Sequence, residues 1–287
     1  MTVDDRLLYE TRVRPAQTVV AALAGALLIV AALVQLTGPH TTVDELTLDL
    51  ITAHRRFPLD LISSVINGLG SLALAGALSF LFGAARARNP RAQPFVRILA
   101  ILGGVVAAVT GVGYAALIAV KANQFVSTGS QTYEQAHHLT SSSVILILQL
   151  VGQGGALVLA LAFVLTAMNA MRVGLLTRFM GYLGMFAGVL VLFPFGSPVP
   201  IVQGFFLFAL AYMLSGRWPT GVPAAWRTGR AEKWPSSQEL RERRANAAGG
   251  GSKAAAPAAP TPAPQAVAAP AARTRSSTPK RKRKHRR

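Results

Sequence analysis

Residues 98–120, ILAILGGVVAAVTGVGYAALIAV, contain no charged side chain. As a helix the stretch is about 35 Å long, enough to cross a hydrocarbon core of about 30 Å with some tilt. A helix on the surface of a soluble domain needs a polar face, and this run has none. Its small residues recur every fourth position, at Gly103, Ala107, Gly111 and Ala115. That spacing lets a second helix approach closely where lipid gives no hydrophobic push.

The rest of the chain supplies partners for this helix. Residues 16–36, 61–83 and 144–168 are also free of charge, and 180–214 is uncharged for 35 residues. The last run is too long for one span and short for two. Pro194, Pro198 and Pro200 interrupt it, so it reads as a fifth span to about residue 195, a Gly196-Ser197-Pro198 turn and a sixth span from Pro200, with a re-entrant hairpin as the alternative. The chain is 52% hydrophobic and 14% charged, with mean hydropathy +0.41, a balance that suits a multi-pass membrane protein. The first run is longer than a signal-peptide core and is read as a retained span. The fold class expected is therefore all-α, a polytopic integral membrane protein of six spans. The absence of cysteine excludes disulfides, thiol catalysis and cysteine-held metal or iron–sulfur centres.

The segments between spans carry the charge. Residues 1–15, 84–97 and 169–179 hold nine Lys and Arg, whereas 40–58 and 121–143 hold Arg55, Arg56 and Lys121. The bias places both termini in the cytoplasm and the protein in a bacterial plasma membrane. Residues 40–58 read as an amphipathic helix on the outer surface, opened by a capping box at Thr42-Val43-Asp44-Glu45 and closed by Pro58, with Arg55 and Arg56 reaching to the headgroups.

After the spans come three C-terminal segments. Residues 217–244 hold all three tryptophans beside Arg or Lys, a pairing suited to the membrane interface. Residues 245–272 are an Ala/Pro-rich linker. Residues 273–287 form a polybasic tail, expected to be disordered, that ends in Lys280, Arg281, Lys282, Arg283, Lys284, Arg286 and Arg287. Its expected partner is anionic inner-leaflet lipid, with nucleic acid as the less favoured polyanion.

Few residues offer chemistry. His40, His54, His137 and His138 lie in the two outer segments near Asp44, Glu45, Asp49 and Glu134. Imidazole and carboxylate ligate metals, but adjacent histidines lack a ligand spacing, and solvated loop histidines are the plainer expectation. No Asp, Glu, Lys, Arg or His falls mid-span, which weakens a proton- or ion-coupled carrier. The candidate intramembrane polar residues are Asn67, Gln149, Gln153 and Gln203. Gln149 and Gln153 share one helix face and either line a solute path or bond to a neighbouring helix. Gly184 and Gly188 form a G-x-x-x-G. No catalytic residue, metal ligand or cofactor is assigned.

Two resemblances follow. Asp49, the run Arg55-Arg56-Phe57-Pro58-Leu59-Asp60 and Gly68-Leu69-Gly70-Ser71, within residues 46–77, resemble the opening of phosphatidic-acid-phosphatase-type membrane phosphatases. That family's Lys…Arg-Pro, Ser-Gly-His and Ser-Arg…His…Asp motifs do not follow here. His40-x-x-x-Asp44 imitates part of the last but precedes the matching segment. The run MRVGLLTRFMG at 171–181, with the Trp-Pro-rich segment after the last span, resembles uncharacterised multi-pass proteins of actinobacteria, which implies no activity. Three functions are expected, in this order: a non-enzymatic membrane protein whose tail contacts anionic lipid or another polyanion; a transporter or channel for a small uncharged solute; and an enzyme related to lipid phosphatases.

Overall fold

The computed structural model describes residues 2–39, 45–128, 130–192, 200–219 and 221–232, with the isolated positions 241, 245 and 246. The described residues are helical or irregular, with no strand. The helices are α1 (Val3–Leu36), α2 (Leu46–Arg56), α3 (Leu59–Arg88), α4 (Phe95–Thr128), α5 (Tyr133–Thr140), α6 (Ser143–Arg172), α7 (Arg178–Leu192), α8 (Ile201–Leu214) and α9 (Ala224–Thr228). They belong to a compact unit, Met1–Trp234. A second unit, Pro235–Arg287, is described only at Arg241, Ala245 and Asn246, all helical. The polybasic tail, residues 247–272 of the linker and Trp234 lie outside the described residues.

Four helices, α1, α3, α4 and α6, are long and apolar enough to cross a membrane. The two shorter apolar helices, α7 and α8, have 15 and 14 residues. Each is about 22 Å long or less, short of a hydrocarbon core of about 30 Å. The six pack as a closed ring in the order α1, α3, α4, α6, α7, α8 and back to α1, with α3 also touching α6 across it. Around the perimeter every ring helix exposes large apolar side chains, among them Leu23, Leu69, Val109, Leu150, Phe186 and Phe205. Such a belt is costly in water and suits hydrocarbon.

Glycine and alanine set the helix spacing. A Cβ on Gly103 would stand 2.6 Å from the Leu159 backbone nitrogen of α6, and one on Gly104 would stand 2.6 Å from the Ala75 Cβ of α3. The four-residue row is therefore not a single contact face. Gly103 meets α6, whereas Gly111 has nothing within 4 Å of the position a Cβ would take. Gly184 and Gly188 press α7 onto Ala167, Val164 and Phe163 of α6.

Several boundaries differ from the sequence expectation. Residues 84–88, expected in a loop, continue α3, and α4 runs eight residues past the expected end of its span. Hydrocarbon length limits an apolar run, not the helix that contains it. The segment 121–143 likewise holds the end of α4 and the short α5. On α2, Glu45 sits at the N-cap, not three residues into the helix as the capping box requires; Thr42, Val43 and Asp44 lie outside the described residues.

Arg55 is exposed, but Arg56 does not snorkel. Its guanidinium donates to the carbonyls of Gln35 (2.8 Å), Thr37 (3.1 Å) and Pro39 (3.3 Å), and to the Asp60 carboxylate (2.8 Å). The last turn of α1 has no basic residue of its own, and Arg56 supplies the cation its free carbonyls favour.

The interface role expected of the tryptophans fails for Trp226, which is buried in the main core. Its indole N–H donates to the Leu175 carbonyl at 3.0 Å and its ring stacks on Phe80. The chain after α8 thus folds back onto the bundle, and the Glu232 amide donates to the Val173 carbonyl. Gly174 permits this approach. It has φ +78°, and a Cβ there would collide with the Glu232 carbonyl oxygen.

Candidate binding cleft

The central feature is a cleft of about 580 Å³ inside the ring, with walls from all six ring helices. Leu28, Ala31, Ala32 and Gln35 follow the i, i+3, i+4, i+7 spacing of one face of α1. Asn67, Ser71 and Leu74 do the same on α3, while α4 and α6 bring Ala107, Ala156 and Leu159. The small side chains at 31, 32, 107 and 156 leave the space open. Apolar groups form most of the wall, and none of its side chains is ionisable.

Its polar groups divide in two. Ser71 donates to the carbonyl of Asn67 one turn back, at 2.9 Å, and is satisfied within its own helix. The side-chain amides of Asn67 and Gln203, like that of Gln35, make no hydrogen bond among the described residues; Gln203 is buried at 7% exposure, whereas Gln35 and Asn67 are exposed. Each amide carries two donors and one carbonyl acceptor, so a neutral ligand with hydroxyl or amide groups is matched by all three.

Of the four candidate polar residues, the structure therefore brings Asn67 and Gln203 to one cleft. Gln149 is exposed on α6, and its amide lies 3.4 Å from the Tyr114 hydroxyl of α4. Gln153 is exposed one turn further on. The tail candidates Lys280 to Arg287 lie outside the described residues, as does His40. His54 is on α2 and His137 and His138 are on α5. Among the described residues no three His, Asp or Glu side chains gather as metal ligands would.

A second arrangement was missed in the sequence. At the end of the bundle opposite α2, Arg88 is fully buried and meets Glu10 through two bonds of 2.8 and 2.6 Å. It also donates to the carbonyls of Ala225 and Ala84, both within 2.9 Å. Arg14 and Arg88 lie 5.1 and 5.3 Å from the centre of the Trp226 ring. Charge alone places Arg88 with the other arginines of the segment 84–97. The signal available was its phase: Leu74, Leu78, Leu81 and Ala85 form the buried stripe of α3, and Arg88 continues it.

The chain matches no family model, no curated protein and no solved structure.

Proposed function

We propose that the chain is a six-span protein of the bacterial plasma membrane, with both termini cytoplasmic, that binds and passes a small uncharged solute through its central cleft. The observation that carries this reading is the set of unpartnered amides, Gln35, Asn67 and Gln203, lining a largely apolar cleft whose walls come from six helices. A charged solute would enter a wall with no counter-charge and lose hydration it could not replace. A neutral hydrogen-bonding solute exchanges water for these amides. Support for the topology comes from charge: Arg12, Arg86, Arg91, Arg97, Arg172 and Arg178 are all exposed at the end opposite α2 and α5.

The test is osmotic swelling of proteoliposomes in glycerol, urea and a monosaccharide, with potassium chloride as the charged comparison. Swelling in at least one neutral solute should exceed that of protein-free liposomes and fall several-fold in a Gln203→Leu variant. Equal rates with and without protein for every neutral solute refute the reading.

The tail supports a second activity, contact with anionic lipid. Residues 273–287 carry nine Lys and Arg and no acid. Each cation near an anionic leaflet is worth about 1 kcal/mol, screened beyond a Debye length of roughly 8 Å. Full-length protein in nanodiscs should protect its tail from trypsin when the lipid is anionic, and lose that protection in high salt. Protection by RNA but not by anionic lipid would reassign the tail to nucleic acid.

A further inference from the structure

A second cavity of about 410 Å³ lies between α1, α2, α3 and α4, toward the end of the bundle that carries α2 and α5. Its polar wall comprises Gln35, Thr52, Arg56, Asp60, Ser64 and Tyr114. Gln35 also lines the central cleft, so one side chain borders both spaces. We infer that this second cavity is the vestibule of the central cleft, that solute passes between them at Gln35, and that the described conformation is open to the α2/α5 face alone. The inference rests on the reading of the central cleft as a solute site.

The chemistry of the two spaces is graded in the way such a route requires. The vestibule offers hydroxyls and an ion pair, and the cleft beyond it offers amides in an apolar wall. A solute therefore loses its water in stages. The vestibule cation does not stand alone, because Asp60 and the carbonyls of Gln35, Thr37 and Pro39 hold the Arg56 guanidinium. This fixes the wall of the vestibule and offsets its charge, so neutral solutes meet no strong field.

The opposite end is packed. Leu78, Phe163, Phe206, Leu207 and Leu210 are all at 0% exposure, with the Phe163 and Phe206 rings 5.1 Å apart. Beyond them the Glu10–Arg88 pair and Trp226 tie α1, α3 and the chain after α8 together. Passage in that direction would require this end to come apart.

The chain has no cysteine, so single cysteines report position without background. Ser64→Cys in the vestibule, Ala107→Cys in the cleft and Leu210→Cys in the packed end are each placed in sealed membrane vesicles of known orientation. A membrane-impermeant methanethiosulfonate is then added to one face at a time. Ser64→Cys and Ala107→Cys should react from the α2/α5 face and at least tenfold more slowly from the other, while Leu210→Cys reacts from neither. Adding Gln35→Trp, at an exposed position, should slow Ala107→Cys labelling about tenfold, and Gln35→Ala should leave it as fast or faster. Damage to the fold would move both variants the same way. Labelling of Ala107→Cys from the arginine-rich face, or at a rate indifferent to Gln35→Trp, overturns the route. Labelling reads access whether or not a solute is carried, so solute flux with two-sided labelling removes the route and keeps the cleft, and one-sided labelling without flux does the reverse.

Discussion

At the scale of the residue, the ion pair of Glu10 and Arg88 is the least expected feature. Both side chains are nearly sealed from solvent, and four donated bonds engage the guanidinium. Removing one partner leaves the other charge buried without compensation, whereas removing both removes the desolvation cost as well. Arg88→Met should therefore destabilise the protein by about 3–5 kcal/mol. The Glu10→Leu/Arg88→Met double variant should recover more than half of the lost thermal midpoint in detergent. A double variant no better than Arg88→Met would mean the pair is not the source of the loss. The phase of Arg88 on α3 marks its burial, but its pairing with Glu10 could not be read from the chain. Glu10 and Arg88 are 78 positions apart, and each stands in a segment rich in charge, where solvation is the default assignment. The same holds for Arg56, whose partners include the carbonyls of Gln35, Thr37 and Pro39, 17 to 21 positions away.

At the scale of the element, the apolar runs foretold the helices, because absence of charge over about twenty residues is a strong signal. Their ends were not legible. Helices continue beyond the apolar run for as long as the backbone finds partners, and polar residues there do not interrupt it. The small-residue rows were legible as spacing but not as faces, since a row of period four drifts around a helix of 3.6 residues per turn. Gly103 and Gly111 separate the two cases. Gly103→Ala places a methyl group 2.6 Å from the α6 backbone and should lower the thermal midpoint markedly. Gly111→Ala meets nothing within 4 Å and should be neutral or stabilising, by up to about 1 kcal/mol, because alanine is the better helix former. Equal effects would refute the assignment of Gly103 to the α4–α6 contact. Trp226 shows the opposite kind of miss. Its neighbour Arg227 suited an interfacial pairing, but the buried indole is fixed by Leu175, 51 positions away.

At the scale of the whole molecule, the central cleft was half legible. Asn67 and Gln203 stood out as polar groups in uncharged runs, but so did Gln149 and Gln153, and only packing separates the pairs. The alternation of the ring gives the topology prediction. Reporter fusions after Arg172 and Arg230 should read cytoplasmic, and fusions near Asp49 and Gln131 should read external. An external reading at Arg230 would mean that α7 and α8 together cross only once, and would remove the sixth span.

Closure of the ring by α8 against α1 has a consequence for how the protein is made. During synthesis α1 waits for a neighbour that emerges only after some 165 further residues. At 5–20 residues per second that interval is on the order of 10–30 s. During it the α1 face at Gly25 and Ile29, which meets Gly204 and Leu207 of α8, is uncovered and, on the proposed membrane reading, rests against acyl chains or the insertion machinery. In water such a wait would invite aggregation. In hydrocarbon it costs little, because lipid tails solvate alanine and leucine nearly as well as a neighbouring helix does. Biogenesis of this fold therefore ends, rather than begins, with the pairing of its first helix.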